Sequence, residues 1–283
     1  MQTDVLPGVF ARRDPAGAVA PVLFDIPRSG GEYPRAFRSV ASLTDLQRSI
    51  SMYVEELYAN VTEAGATWLY ALFPNAFIDP NRHALDIDPA ALEGEWPEPL
   101  QPSAKTKAGI GLIPMVCAGT KPIYDGKLSV AEVQWRLNDY YLPYHRELAR
   151  LLAGFRADHG VAYHLSCHSM PAVAADTGVR RSHFDLGDRN GTTCGPELVE
   201  VVEHTLRGFG YEVTRNTHFI GAECVRQHGN PAGGVHSLQI EMNRGLFMDE
   251  AARTRGPGLA QVREHLTEVA RAVVALAREK PAR

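Results

Sequence analysis

The stretch "VLFDIPRSGGEYP", Val22–Pro34, sets the pattern for the whole chain. Val22 to Ile26 suit a buried strand, with one Asp among them, and Pro27 stops the ladder because it has no N–H to give. Arg28 then stands in a turn with Ser29, Gly30 and Gly31. A guanidinium at the exit of a buried strand needs an anion to hold. Five other runs are strand-like: Thr67–Phe73, Ile110–Val116, Val161–Cys167, Tyr211–Thr214 and Ser237–Met242. Apolar residues at three-to-four spacing predict helices between them. The first pattern runs from Leu46 to Val61, and the second from Val130 to Phe155, where Pro143 should kink or split the helix. The others span Leu198–Phe209 and Val262–Leu276. Alternating strands and helices predict an α/β fold: three layers, α/β/α, hydrolase-like, around a mostly parallel (mixed) central sheet. No repeat or internal boundary interrupts the pattern, so one domain over 1–283 is expected. Asp86–Lys107, with four prolines, reads as an exposed excursion or a lid.

Composition narrows the function. A formal charge of −4 over 283 residues argues against a nucleic-acid partner. No apolar run reaches the ~18 residues a membrane span needs. The N-terminal residues include Asp4 and no apolar core, so no secretory signal is expected. The four cysteines, Cys117, Cys167, Cys194 and Cys224, lie far apart, which suits reduced thiols and a cytoplasmic setting.

In such sheets the active site lies beyond the carboxyl ends of the strands. Four polar clusters follow strand-like runs: Pro27-Arg28-Ser29-Gly30, "FIDPNR" (Phe77–Arg82), "HLSCHSMP" (His164–Pro171) and "SLQIEMNRGLFMD" (Ser237–Asp249). His168 suits a metal ligand or general base, or else a cap on its turn. Glu241 falls inside a buried strand, where a carboxylate is either ion-paired, with Arg244 for example, or reactive through a raised pKa. Asn81 and Arg82 suit a carboxylate clamp or a loop tie with Asp79. Cys167 and His168, adjacent on a strand, point to opposite faces and cannot form a nucleophile–base pair. Asp185, Asp188 and His183 lie in "RRSHFDLGDRNGTTCG" (Arg180–Gly195), which reads as a polar loop.

With "YVEELY" and "GNPAGG", these clusters in this order resemble the N-formylglutamate amidohydrolase (deformylase) family, itself similar to the zinc carboxypeptidases. The resemblance covers about Pro21 to Glu250. It implies a hydrolase that cleaves the linear amide of an N-acylated acidic amino acid, N-formyl-L-glutamate foremost, with histidine degradation as the setting. It also implies Zn2+, with His168 as a ligand, Glu241 as base, and Asn81 and Arg82 on the substrate α-carboxylate. Arg244, Arg181 or Arg189 would meet a second carboxylate, and Ser169 would also bind substrate. Where the family reads Pro-His-Ser-Gly, this chain has Arg28; an acidic residue near Ser51-Met52 and an Asp at Ser166 are also replaced. Glu32, His183 or His218 would then have to complete a metal site. Two alternatives stay open: a metal-free relative in which Arg28 is the catalytic cation, and a non-catalytic protein that binds acyl-amino acids.

Overall fold

The computed structural model describes residues 2–279. Eight strands form one sheet. They are β1 (Gln2–Leu6), β2 (Phe10–Asp14), β3 (Val22–Ile26), β4 (Thr67–Ala71), β5 (Ala162–Met170), β6 (Phe184–Gly187), β7 (Val213–Arg215) and β8 (Val235–Asn243). Their spatial order is β1-β2-β4-β3-β5-β8-β6-β7. The central four, β4, β3, β5 and β8, run parallel. β2 and β6 join them antiparallel at either side. The helices are α1 (Leu43–Gln47), α2 (Val54–Leu57), α3 (Ala104–Lys107), α4 (Val130–Arg136), α5 (Leu142–His159), α6 (Pro196–Gly208), α7 (Glu223–His228) and α8 (Leu259–Glu279). α2, α6 and α8 pack on one sheet face, and α5 and α7 cover the other. The α/β/α expectation therefore holds.

Side-chain alternation explains both faces. Leu165, Cys167, Leu238, Ile240 and Met242 join Phe24, Ile26, Val262, Leu266 and Val269 in the larger apolar core. Their strand neighbours point the other way, as period-two geometry requires. Cα pairing aligns His164 with Ser237, Ser166 with Gln239 and with Asp25, and His168 with Glu241. A polar band thus crosses the middle of the sheet beneath α5, flanked by a second core that includes Leu23, Leu69 and Ala162.

Deep in this band His164 pairs with Asp25 at 2.8 Å, and Tyr144 donates to the same carboxylate. Both members of the pair are fully buried. Burial pushes Asp25 up, but the charge and hydrogen bond of His164 outweigh it and hold the carboxyl below its usual range. His164→Leu would strand that carboxylate, and the variant should lose about 3–5 kcal/mol in denaturant unfolding.

Several local expectations are corrected. Ile110–Val116 is not a sheet strand; only Val116–Cys117 pairs, with Lys121–Pro122, in a separate ribbon. Gly109, Gly111 and Pro114 break the run, and its amides bond instead to Lys105 and Asp86. Asp86–Lys107 is largely exposed, as expected, and is closed on itself by the Asp86 carboxylate, which accepts from Ser103 and Thr106. The helix expected over Leu46–Val61 breaks between α1 and α2, with Tyr53 at φ 67°. There the Ser51 amide bonds the Arg28 carbonyl, a long-range pairing that overrides helical spacing. Pro143 does disturb its helix: Leu137–Tyr141 widens to a π turn before α5. β1, β2 and the short β6, within the segment read as a loop, were not anticipated.

Candidate active site

The Arg28 turn is locked from several sides. Pro27 ends β3, and the chain passes so close to β4's exit that a Cβ on Gly30 would lie 2.1 Å from the Phe73 carbonyl oxygen. Gly30→Ala must push this turn away; a loss of about 1–3 kcal/mol together with most of the activity is expected in paired melting and turnover measurements. Tyr70 donates to the Ser29 carbonyl. The Ser29 hydroxyl lies against both the Ser51 carbonyl and the Glu55 carboxyl. One hydroxyl proton cannot serve two acceptors. Burial raises the Glu55 pKa, against the hydrogen bond from Ser29 that lowers it.

Arg28 has its anion: Nη2 lies 3.3 Å from Asp79 Oδ2, and Asp79 is almost wholly buried. The other Asp79 oxygen accepts from the Asn81 amide. The second cluster is thereby tied to the first. Arg82 gives Nε to the Ile110 carbonyl and Nη1 to the Asn81 carbonyl, so part of its guanidinium ties the loop. Asn81 turns its side chain inward. Its Oδ1 accepts from the Cys224 amide at the start of α7, and its Nδ2 donates to His168 Nε2 at 3.2 Å and to Gln239 Oε1.

His168 lies within β5 rather than at its exit, and it is 1% exposed. Since Asn81 donates to Nε2, the ring proton sits on Nδ1. Nδ1 is buried and has no partner among the described residues. Burial, then the Arg28 charge, pushes the imidazole down to about 3, so it stays neutral. Arg28 Nε is a second buried donor without a partner among the described residues.

Glu241, across the register from His168, is 6% exposed. Its Oε1 accepts from Gln239 Nε2 at 3.1 Å. Among the described residues no basic side chain forms an ion pair with it, so the expected alternative of a direct pair with Arg244 is absent. Arg244 instead donates to Ser169 Oγ and to the Ile50 carbonyl. Burial pushes Glu241 up to about 7, against the pull of Arg28 and Arg244. Gln239 escaped the sequence reading; its place at i−2 from Glu241 on an alternating strand was the available signal. Arg28, Asn81, His168, Gln239 and Glu241 thus converge, with Arg82, Arg181 and Arg244 at the margin. Lys105 also feels Arg82, Arg28 and Arg181, which puts the end of the 86–107 segment at the rim. Arg244 further lines a cavity of about 720 Å³ with Arg48, Ile50, Met52 and Glu250.

Other candidates lie elsewhere, except the buried Asp185, which pairs with Glu241 in the β6–β8 register and whose charge helps to raise the Glu241 pKa. Glu32 is exposed, and its amide is tied to the Leu72 carbonyl. His183 and His218 accept from backbone amides. Asp185 accepts hydrogen bonds from Thr214, Thr217, His218 and Phe219, and Asp188 from Gly191 and Asn216. Arg189 caps the Gly221 carbonyl. Burial raises the Cys167 thiol well above its normal value, and it packs in the core, away from His168.

A buried carboxylate poised near neutrality, two unpartnered N–H donors and a rim of cations, at the carboxyl ends of parallel strands, define an α/β protein with a hydrolase-like site. Comparison makes the class specific. Residues 20–248 match the N-formylglutamate amidohydrolase family profile, and the chain belongs to that family. It is 30% identical over 261 residues to an N-formylglutamate deformylase of Pseudomonas aeruginosa, covering 90% of each chain. A Pseudomonas putida N-formylglutamate deformylase is 27% identical over 81% of this chain and 82% of its own. The crystal structure of an N-formylglutamate amidohydrolase from Ralstonia eutropha JMP134 superposes with a TM-score of 0.93 at 42% identity, covering 96% of this chain and 99% of that one.

The zinc that the family resemblance implies does not fit these residues. Among the described residues no three His, Cys, Asp or Glu side chains cluster as a metal would require. His168 has its Nε2 lone pair engaged by Asn81 and a proton on Nδ1. Arg28 stands beside it with a permanent positive charge. Glu32 does not join them.

Proposed function

We propose that this chain hydrolyses the amide of N-formyl-L-glutamate to formate and glutamate, with Glu241 as general base and Arg28 as a fixed cation in place of a metal. The Glu241 carboxylate takes a proton from water as the oxygen attacks the formyl carbon. Arg28 Nε–H and His168 Nδ1–H donate to the oxyanion that develops on the carbonyl oxygen. The C–N bond then breaks, and Glu241 returns its proton to the leaving nitrogen. The remaining Arg82 donors take the α-carboxylate, while Asn81 beside it spends both Nδ2 hydrogens on His168 and Gln239. Arg244, with Ser169 orienting it, and Arg181 serve the side-chain carboxylate. Gln239 fixes the Glu241 oxygen and the Asn81 amide together.

The observation that carries this reading is the pairing of Glu241, buried and without an ion pair, with the two orphan donors. An unpaired buried N–H costs about 1–3 kcal/mol unless a ligand or water meets it, and these two belong to residues that neighbour Glu241. Formate release followed by proton NMR, on incubation with N-formyl-L-glutamate, tests the reaction. One formate per glutamate is expected; saturable binding without formate would leave a binding protein instead.

A further inference from the structure

The clamp loop is gripped from beneath by one face of α5. Tyr141, the last residue of the π turn, donates to the Arg82 carbonyl at 2.9 Å. His145, one turn on, holds the Pro80 carbonyl at 2.8 Å through Nε2. These two carbonyls bracket Asn81. The two rings also lie against each other, 4.3 Å between centroids.

The donor assignments are chemically fixed. Pro80 offers only an acceptor, so His145 Nε2 carries the proton and Nδ1 must accept. Its partner is His228 Nε2 at 3.0 Å, which therefore donates. Burial pushes both imidazoles down, His228 to about 2, so this arrangement of neutral rings persists at working pH. Burial likewise pushes the Tyr141 phenol up, which keeps it a donor.

The widened turn sets the spacing. Pro143 has no N–H for the Asp139 carbonyl, and its ring crowds that group. The Leu142 amide bonds Leu137, five residues back, so one extra residue enters the turn just before α5. Such π turns recur at functional sites. Here the extra residue lies immediately before the helix that grips the loop.

We propose that Tyr141 and His145 are positioning residues that hold the Pro80–Arg82 loop so that the free Arg82 donors meet a substrate carboxylate. This rests on the clamp role of Arg82 in the proposed reaction. Steady-state kinetics on N-formyl-L-glutamate tests it with Tyr141→Phe, His145→Leu, His145→Gln, Arg82→Ala and the Tyr141→Phe/Arg82→Ala double variant. Tyr141→Phe and His145→Leu should each raise KM by ~10-fold with kcat little changed, the equivalent of one lost hydrogen bond. His145→Gln, whose amide nitrogen can replace Nε2, should recover most of the loss. The double variant should be no worse than Arg82→Ala, because the tyrosine acts through Arg82. Penalties that add, or an unchanged KM in Tyr141→Phe and His145→Leu while Arg82→Ala raises it, would overturn the proposal. An unchanged KM in Arg82→Ala itself would remove the clamp, and the positioning role with it.

Discussion

Glu241→Gln should lower kcat by roughly 10²–10⁴-fold while making the folded protein more stable above pH 7. The isosteric amide keeps an oxygen for the Gln239 donor, so packing changes little, but it cannot take a proton from water. The stability gain follows from the sign of the pKa shift. Burial raises the native carboxyl from 4.5 to about 7. The native state therefore holds this proton more tightly than the unfolded chain. The stabilisation is complete below the unfolded pKa and is lost as pH rises through about 7. Glutamine stays neutral, so the variant escapes that loss. Thermal melting of the two proteins across pH should give midpoints that diverge in favour of the glutamine variant on the alkaline side. In the parent, kcat/KM should climb with pH through the same region as the base ionises. A variant that keeps its turnover, or is less stable at every pH, would make Glu241 an ordinary structural carboxylate.

Arg28 substitutions should have the next largest effect. Arg28→Ala removes a fixed charge and one oxyanion donor, and should reduce kcat by about 10²–10³-fold. It also leaves Asp79 buried beside an uncompensated space. Arg28 is a quarter exposed, so the stability loss should fall below the range for a fully buried pair, at about 1–3 kcal/mol in urea unfolding. Arg28→Lys separates the two contributions. An ammonium can still face Asp79 and keep much of the stability, yet it lacks the planar fork and the Nε–H, so turnover should stay low. Arg28→His adds an imidazole near His168, but Ser51 and Met52 supply no ligand of the kind zinc prefers. Elemental analysis of that variant should find no stoichiometric zinc.

Much of this arrangement was legible in the sequence because it depends on short-range alternation. "HLSCHS" and "SLQIEM" each place polar residues at every second position, which is enough to put His168 and Glu241 on one face once both are strands. The strand-exit turn at Arg28 was equally local. The identity of its anion was not, because Asp79 lies on another loop and reaches Arg28 only through the parallel pairing of β3 with β4. The break between α1 and α2 had the same cause: the Ser51 amide answers the distant Arg28 carbonyl, and no helical pattern records that. β6 was hidden by its length and by flanking Gly and Asp residues, whose turn preference is strong. Tyr141 counted as an apolar position on a helix, and spacing cannot show that its hydroxyl grips a carbonyl. The metal ligands expected from the resemblance failed for a chemical reason. Glu32 follows Arg28 by four residues, but the chain there runs along β4's exit and turns the carboxylate to solvent.

The most direct measurement is turnover of N-formyl-L-glutamate by protein exhaustively treated with a chelator, with bound metal measured by elemental analysis on the same sample. A base in Glu241 and a cation in Arg28 predict unchanged kcat and KM with metal far below one ion per chain, and no gain on adding zinc. Loss of turnover on chelation, restored by one equivalent of zinc, would contradict the account.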